Sequence, residues 1–212
     1  MTDYKELIKS FTKDDYENKK VNLHIHTTFS DGLSTPEDVV RQAKKAGYET
    51  IAVSDHNTVN AFIETNLKDE TMVIPAVEFD VWCGYVFLHL LAYGIDVNNE
   101  DLKPFLAKNK KETEWDIVRI FSTRNIEDLI KAIHSAGGIA VLAHPACCWA
   151  VSLENLVIRL ISYGLDGIEV YYPYRRHRSI IKFHSVKKVE CIADKYGLIK
   201  TGGTDFHGDF LD

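Results

Sequence analysis

The most informative segment of the sequence is VNLHIHTTFSDG, residues 21–32. Apolar and polar residues alternate at its start, and this period of two predicts a short strand with one face in the core. His24 and His26 then point to the same side, where two imidazoles can bind one metal ion. Asp31 follows in a Ser-Asp-Gly turn, from which its short carboxylate can fold back toward the same site. Taken alone, the pattern fits two polar residues on an open strand face equally well.

The composition is that of one globular domain. The chain has 212 residues, of which 45% are hydrophobic and 26% charged, enough to bury a substantial core. Because the net charge is -6, the overall field does not attract nucleic acid or phosphate, and an anionic substrate must be held by local cations or arginines. The four cysteines form no C-x-x-C pair and predict no disulfide framework. Without a signal peptide or a membrane-length apolar run, we expect a cytoplasmic protein with no membrane contact and no implied protein partner.

Alternating strand and helix patterns predict an α/β fold with a mainly parallel sheet of about seven strands. We expect residues 1–20 to be an irregular lead-in or a short surface helix, and residues 21–212 to form a single domain. Residues 81–93 indicate one or two strands with a turn or bulge at Gly84. Residues 99–111 have a helical pattern, and residues 112–125 carry no clear pattern.

Histidines or carboxylates stand at the C-terminal end of nearly every predicted strand. An open sheet would spread these side chains along a line, whereas the strand ends of a (β/α) barrel converge on one face. The order of residues therefore favours a barrel-like fold. The residues at strand ends are His26, His56, Glu78, His144, Glu169 and Asp205.

Nine residues form the candidate metal-binding set. Six imidazoles and three carboxylates suit Zn, Mn or Fe, and the absence of cysteine from the set argues against a thiolate site. Nine ligands are too many for one ion, whereas a carboxylate that bridges ions would suit a cluster of two or three. The set consists of His24, His26, Asp31, His56, Glu78, His89, His144, Asp205 and His207.

The order of these motifs resembles the polymerase and histidinol phosphatase (PHP) family over about residues 20–208. The family implies a distorted (β/α)7 barrel, the PHP fold, with two or three divalent transition metals that hydrolyse phosphoesters. The motifs that carry the resemblance are His24-x-His26, Ser30-Asp31-Gly32, Asp55-His56, Glu78 at a strand end, His89 before Tyr-Gly, Ala143-His144-Pro145, Ile-Glu169-Val and Asp205-x-His207.

The resemblance also implies which residues share an ion. His24, His26, Glu78 and Asp205 should hold one metal, and Glu78 should bridge to a second metal bound by His89 and His144. Asp31, His56 and His207 should hold the third. Many relatives have histidine where Asp31 stands, and aspartate resembles the branch of nucleoside 3′,5′-bisphosphate phosphatases and the RNase AM type of 5′–3′ exonuclease.

The expected function is hydrolysis of a phosphomonoester, a nucleotide or another small phosphorylated metabolite, by a hydroxide that bridges metals. The alternatives are a 5′–3′ exonuclease acting on short oligonucleotides, a histidinol-phosphatase-like enzyme, and a non-catalytic metal-binding regulatory domain. Asp55, Glu78 and Asp205 are the expected catalytic residues. Asp55 is expected to orient His56 or, alternatively, to carry a proton.

Substrate contacts are predicted from two departures from the family pattern. The branch often has an arginine soon after Ala-His-Pro, but here Ala146-Cys147-Cys148-Trp149 follows, and the stretch 92–136 is short beside relatives with a helical insertion. The missing cation could come from the segment after Glu169, which alternatively is a solvated helix start. The predicted substrate-binding residues are Arg175, Arg176, His177 and Glu169.

Overall fold

The computed structural model describes residues 3–67, 71–174 and 182–208. Within this part of the chain, seven strands form one sheet whose spatial order follows the sequence. The alternation of strands and helices expected from the sequence is confirmed. The strands are β1 Val21–Ile25, β2 Thr50–Val53, β3 Met72–Cys83, β4 Val86–Tyr93, β5 Ile139–Leu142, β6 Gly167–Tyr171 and β7 Ile199–Gly202.

One strand runs against the rest of the sheet. Strands β1 to β3 are parallel, and so are β5 to β7, whereas β4 is antiparallel to both of its neighbours. The reversal occurs in the tight turn at Gly84, whose φ of 64° lies in the left-handed region that glycine adopts without strain. Residues 81–93 are therefore two strands, and β3 continues past Glu78 instead of ending beside it.

The two ends of the sheet meet. Ile25 at the end of β1 forms a parallel bridge with Phe206, which follows β7. The His26 amide donates to the Phe206 carbonyl at 2.9 Å, and the side chain of Asn22 both donates to and accepts from Thr204. These bonds bring the two ends of the sheet together in a barrel-like arrangement, and the α/β fold class predicted from the sequence is confirmed.

Helices between the strands cover the outside of the sheet. Thr35 caps the first of them through the Asp38 amide, and Gly47 ends it with a φ of 90°. Apolar faces of the later helices pack with β4, β5 and β6 in the largest core cluster. None of the described helices is long and apolar enough to cross a bilayer. The covering helices are α3 Pro36–Ala46, α4 Asn60–Glu64, α7 Ile126–Ser135, α8 Leu153–Tyr163 and α9 Val186–Tyr196.

The lead-in is part of the core. It forms two short helices, α1 Tyr4–Ser10 and α2 Lys13–Glu17. Ile8 is fully buried and belongs to one apolar cluster with Leu23 and Ile139, which lie at or near the N-terminal ends of parallel strands. Of the two alternatives expected for residues 1–20, the structure shows short surface helices, and Ile8 anchors α1 in the core at the end of the barrel opposite the strand ends that carry the histidines.

A second correction concerns residues 100–124. The predicted helix over 99–111 is instead a 3₁₀ segment, Glu100–Phe105, followed by irregular chain and two single-turn helices, α5 Lys111–Glu114 and α6 Asp116–Arg119. Pro104 lacks the amide that a longer helix needs, and the Ala107 amide donates to the carbonyl of Asn57 beyond β2 at 2.8 Å. The chain thus leaves the helical path to cross the carboxyl ends of the strands. Residues 106–124 are called the covering segment below.

Candidate metal centre

The first ligand set comes together as expected. His24 in β1 and His26 just after it both turn their Nε2 atoms toward two carboxylates. The His24 atom lies 3.2 Å from Glu78 Oε2 and 3.3 Å from Asp205 Oδ1, and the corresponding distances from His26 are 3.1 and 3.2 Å. Four donor atoms on four side chains thus face a common point, which is the arrangement that a transition metal needs.

The second set lies on the other oxygen of Glu78. Glu78 Oε1 is 3.0 Å from His89 Nδ1 and 3.1 Å from His144 Nε2, and the two ring nitrogens are 3.2 Å apart. His89 arrives on the antiparallel strand β4, and His144 follows β5 with a φ of 27°. Glu78 therefore presents one oxygen to each of two ligand sets, as a bridging carboxylate must.

The third set gathers around Asp31. Its Oδ1 lies 3.2 Å from His207 Nε2 and 3.5 Å from His26 Nδ1, while its Oδ2 lies 3.7 Å from His56 Nε2. The sequence assigned His26 to the first set alone, but its two ring nitrogens face different sets. All nine side chains predicted as ligands are thus brought together at one end of the barrel.

The residues present fit a group of divalent cations. Among the buried side-chain atoms that have no hydrogen-bond partner within the described chain, four face the ligand sets, and each lies close to other ligand atoms. A buried polar atom left in this way costs free energy unless something else binds it. Metal ions bound to the first and third sets would satisfy these atoms. The four atoms are His24 Nε2, His26 Nε2, Asp31 Oδ1 and Glu78 Oε2.

Electrostatics supports the same interpretation. Burial opposes protonation of His24, but Glu78, Glu169 and Asp205 outweigh it and raise the pKa of His24 well above its usual range. Burial likewise disfavours ionisation of Glu78, yet the surrounding histidines hold the pKa of Glu78 well below its usual range. Positive charge near the carboxylates is therefore stabilising. A divalent cation can supply that charge in place of the protons that the histidines would otherwise carry.

Two residues hold the ligands from behind. Glu169 Oε1 lies 3.0 Å from His24 Nδ1, and Glu169 Oε2 accepts from the His144 amide at 2.7 Å. The Tyr172 hydroxyl donates to Asp205 Oδ2 at 2.6 Å, which leaves Oδ1 to face the metal-binding nitrogens. Glu169 was predicted to contact the substrate, but it is completely buried behind His24. Its position suits a residue that orients a histidine ligand.

Asp55 also differs from its expected role. Its carboxylate accepts from the amide and hydroxyl of Thr27, each at 2.7 Å, and from the Ser30 hydroxyl at 2.7 Å. Burial raises the pKa of Asp55, although these hydrogen bonds act in the opposite direction. Asp55 therefore fixes the loop between His26 and Asp31 and is not positioned to orient His56.

Asp80 is a site residue that the sequence analysis missed. Its Oδ1 lies 3.1 Å from His89 Nε2 and 3.6 Å from His56 Nδ1, so it contacts ligands of two different sets. Burial opposes its ionisation, but His56, His89 and Arg119 lower the pKa of Asp80 to about 2. The signal was available in the sequence, because residues 78 and 80 of one strand share a face.

Arg119 is the second missed residue, and it lies in the stretch that carried no clear pattern. Its buried guanidinium donates from Nη1 to Asp31 Oδ2 at 2.8 Å. It also lines a cavity of about 230 Å³ together with Asp80, His89 and His144. A cation near the cluster was expected from Arg175 and Arg176, but these two residues and His177 lie outside the described residues.

Comparison with known proteins identifies the family of this chain. The family model of the PHP domain matches residues 22–143, so the chain belongs to the PHP family. It is 32% identical to the 5′-3′ exoribonuclease Rnm of Salmonella typhimurium, with 88% of this chain and 84% of that protein covered. It is 23% identical to phosphoribosyl 1,2-cyclic phosphate 1,2-diphosphodiesterase of Eggerthella lenta, with 89% and 94% covered.

A solved structure shares the fold. A protein of Bifidobacterium adolescentis described as a metal-dependent phosphoesterase superposes with a TM-score of 0.71. The two chains are 22% identical, and the match covers 89% of this chain and 88% of that one. The family, the fold and the His/Asp/Glu cluster together indicate a metal-dependent phosphoesterase.

Proposed function

We propose that this protein hydrolyses the phosphomonoester of a nucleotide or another small phosphorylated metabolite. The observation that carries the proposal is that three ligand sets lie together at one end of the barrel, next to a cavity lined by an arginine. When bound, divalent ions there would polarise the phosphoryl oxygens and lower the pKa of a water molecule. A donor set of imidazoles and carboxylates suits Mn, Fe or Zn.

The protein's own residues supply the remaining requirements. Glu78 fixes the spacing between two ligand sets, because its two oxygens face different histidines. Tyr172 and Glu169 hold Asp205 and His24 in single orientations. Arg119 lines the cavity, where its guanidinium can donate a charge-assisted hydrogen bond to a phosphoryl oxyanion. An acidic protein thus acquires a local site for an anion.

A second candidate is supported by a specific observation. The relative with 32% identity is a 5′-3′ exoribonuclease, and it is matched over most of both chains. We therefore retain 5′–3′ hydrolysis of short oligonucleotides as the alternative activity. In both cases the site would act on one phosphate at a time, and the difference lies in how much of the substrate extends beyond the cavity.

The test is a substrate screen on the protein reconstituted with Mn²⁺, Fe²⁺ or Zn²⁺. Nucleoside phosphates, nucleoside bisphosphates, histidinol phosphate, p-nitrophenyl phosphate and short 5′-phosphorylated oligonucleotides are compared for released phosphate and mononucleotides. Glu78→Gln should abolish the activity, whereas the matched control His134→Gln, on a half-exposed histidine paired with Asp166, should retain it. Mononucleotide release would favour the exonuclease, and inertness towards every substrate with metals bound would favour a non-catalytic metal-binding domain.

A further inference from the structure

Arg119 places a permanent positive charge next to Asp31 of the third ligand set, and its Nε also lies 3.7 Å from Asp80 Oδ1. Its Nη1 lies 2.8 Å from Asp31 Oδ2, and the guanidinium keeps its proton at any physiological pH. The carboxylate that serves the first two sets, Glu78, has only histidines among its described ion-pair partners. The third set, Asp31, His56 and His207, is therefore the one that shares its carboxylate with an arginine.

The arginine is held in this position by the protein. Only 5% of its side chain is exposed, and Nη1 also donates to the carbonyl of Thr113 at 3.2 Å. Asp116 pairs with the Nη2 of Arg119. The carbonyl of Ile120, the residue after Arg119, accepts a hydrogen bond from the indole of Trp82 at 2.7 Å. The guanidinium is thus a built part of the site and not a surface side chain that happens to reach it.

An ion in the third set would meet two disadvantages. Asp31 gives Oδ2 to Arg119, so mainly Oδ1, 3.2 Å from His207 Nε2, remains for the metal. The guanidinium also repels a cation at this short range, where screening by solvent is weak. We infer that Arg119 makes the third metal position the weakest of the cluster, so that its ion exchanges while the other two stay bound. This inference rests on the proposed metal centre.

A substrate phosphate bound in the cavity would change how strongly Arg119 weakens the third metal position. Arg119 lines the space next to His89 and His144, so an oxyanion bound there can pair with the guanidinium. The added negative charge offsets the repulsion of the third ion. Because binding coupling is reciprocal, a phosphate that tightens the ion is itself held more tightly when the ion is present. The third ion then binds together with the substrate.

The experiment counts ions and measures their affinities. Chelator-treated protein is titrated with Mn²⁺ alone, free Mn²⁺ is followed by electron paramagnetic resonance, and the titration is repeated with inorganic phosphate. The wild type should bind a third ion more weakly than the first two, and phosphate should tighten that step. Arg119→Gln should tighten it roughly tenfold or more without phosphate and remove the response to phosphate.

Two further variants separate charge from folding. Arg119→Lys keeps the positive charge and should keep the weak third step, while His207→Ala should remove that step and leave the first two. Three ions of similar affinity in the wild type, which needs no variant to observe, would overturn the inference and leave the proposed function intact. An unchanged third step in folded Arg119→Gln would also overturn it. Failure of the wild type to bind any Mn²⁺ would instead reject the proposed metal centre as a whole.

Discussion

At the scale of single residues, Glu78 has the most demanding position in the molecule. It is buried, its two oxygens face different histidines, and it lies on a strand that continues past it to Cys83. A side chain at a strand end could adjust to its surroundings, but one in the middle of a paired strand is fixed by the register on both sides. The spacing between two ligand sets is therefore set by the sheet itself.

Because the position of Glu78 is fixed, we expect substitution of Glu78 to cost more activity than substitution of His207. Loss of a residue that orients a metal ligand costs about 10–100-fold in activity. Glu78→Gln should reduce phosphoesterase activity by more than this and should release two ions. His207→Ala should release one ion and lose less activity, because His207 Nε2 faces the third set while its Nδ1 contacts the Asp205 carbonyl at 2.8 Å. Metal analysis and kcat/KM of both variants check the prediction. Equal losses would exclude a bridging role for Glu78.

The residues behind the ligands should act through them. Glu169→Gln weakens the contact that orients His24, and we expect metal affinity or activity to fall about 10–100-fold while the fold is kept. Circular dichroism measures whether the fold is kept, and Mn²⁺ titration measures the metal affinity. A larger effect on KM than on metal affinity would restore the original prediction that Glu169 contacts the substrate.

At the scale of elements, the lead-in helix α1 is tied to the barrel by a close approach at Gly94. A Cβ added to Gly94 would lie 2.5 Å from Tyr4 Cβ, and the residue has a φ of 68°. Gly137 has a similar φ of 77° but no atom within 4 Å of an added Cβ. The two glycines therefore form a matched pair that separates backbone strain from the docking of α1.

Alanine at these two positions should have different costs. Gly137→Ala should lower the free energy of unfolding by about 1–2 kcal/mol, because alanine is strained in the left-handed region. Gly94→Ala should cost about 1–3 kcal/mol more, since Tyr4 must move out of its place. Urea denaturation of both variants measures the difference. Equal costs would show that α1 does not pack on the barrel in solution.

How far the sequence could predict these elements depends on periodicity. The alternation around His24 predicted β1, and Gly47 correctly predicted the end of α3, because both patterns are local. The covering segment has no period to detect: its turns are set by contacts with distant residues, such as the Trp82 indole and the Asn57 carbonyl. Arg119 was missed for that reason, whereas the nine candidate ligands, which the structure brings together, were recognised from motifs that stand at or near strand ends.

At the scale of the whole molecule, the metal centre lies where the two ends of the sheet meet. His24 and Asp205 come from β1 and from the segment after β7, and Glu78 and His144 come from the middle of the sheet. Ions that bind all of these residues connect parts of the chain that are far apart in sequence. Binding and folding should therefore be coupled, because the unfolded chain offers no such site.

Metal should raise the thermal stability of the protein. At a free metal concentration about 100 times the dissociation constant, each ion should add about 2.7 kcal/mol, which corresponds to roughly 5–10 °C in Tm for a chain of this size. Differential scanning fluorimetry of chelated protein with graded Mn²⁺ or Zn²⁺ measures the shift. The Tm of the double variant His24→Ala/His144→Ala should rise much less. A wild-type Tm that does not change with metal concentration would contradict the coupling of binding and folding.

The hairpin of β3 and β4 allows the chain to lengthen over evolutionary time without moving the metal-binding side chains. Asp80 pairs with His89 across an antiparallel ladder that ends at Cys83 and Val86, so the turn at Gly84 and Tyr85 lies several residues beyond the cluster. An insertion inside β4 would turn His89 to the other face of the sheet, but one at the tip changes only the rim. The Tyr85 hydroxyl already accepts from the Val151 amide beyond the cavity at 3.2 Å. New substrate preferences could therefore arise by growth of this tip while the hydrolytic chemistry is inherited unchanged.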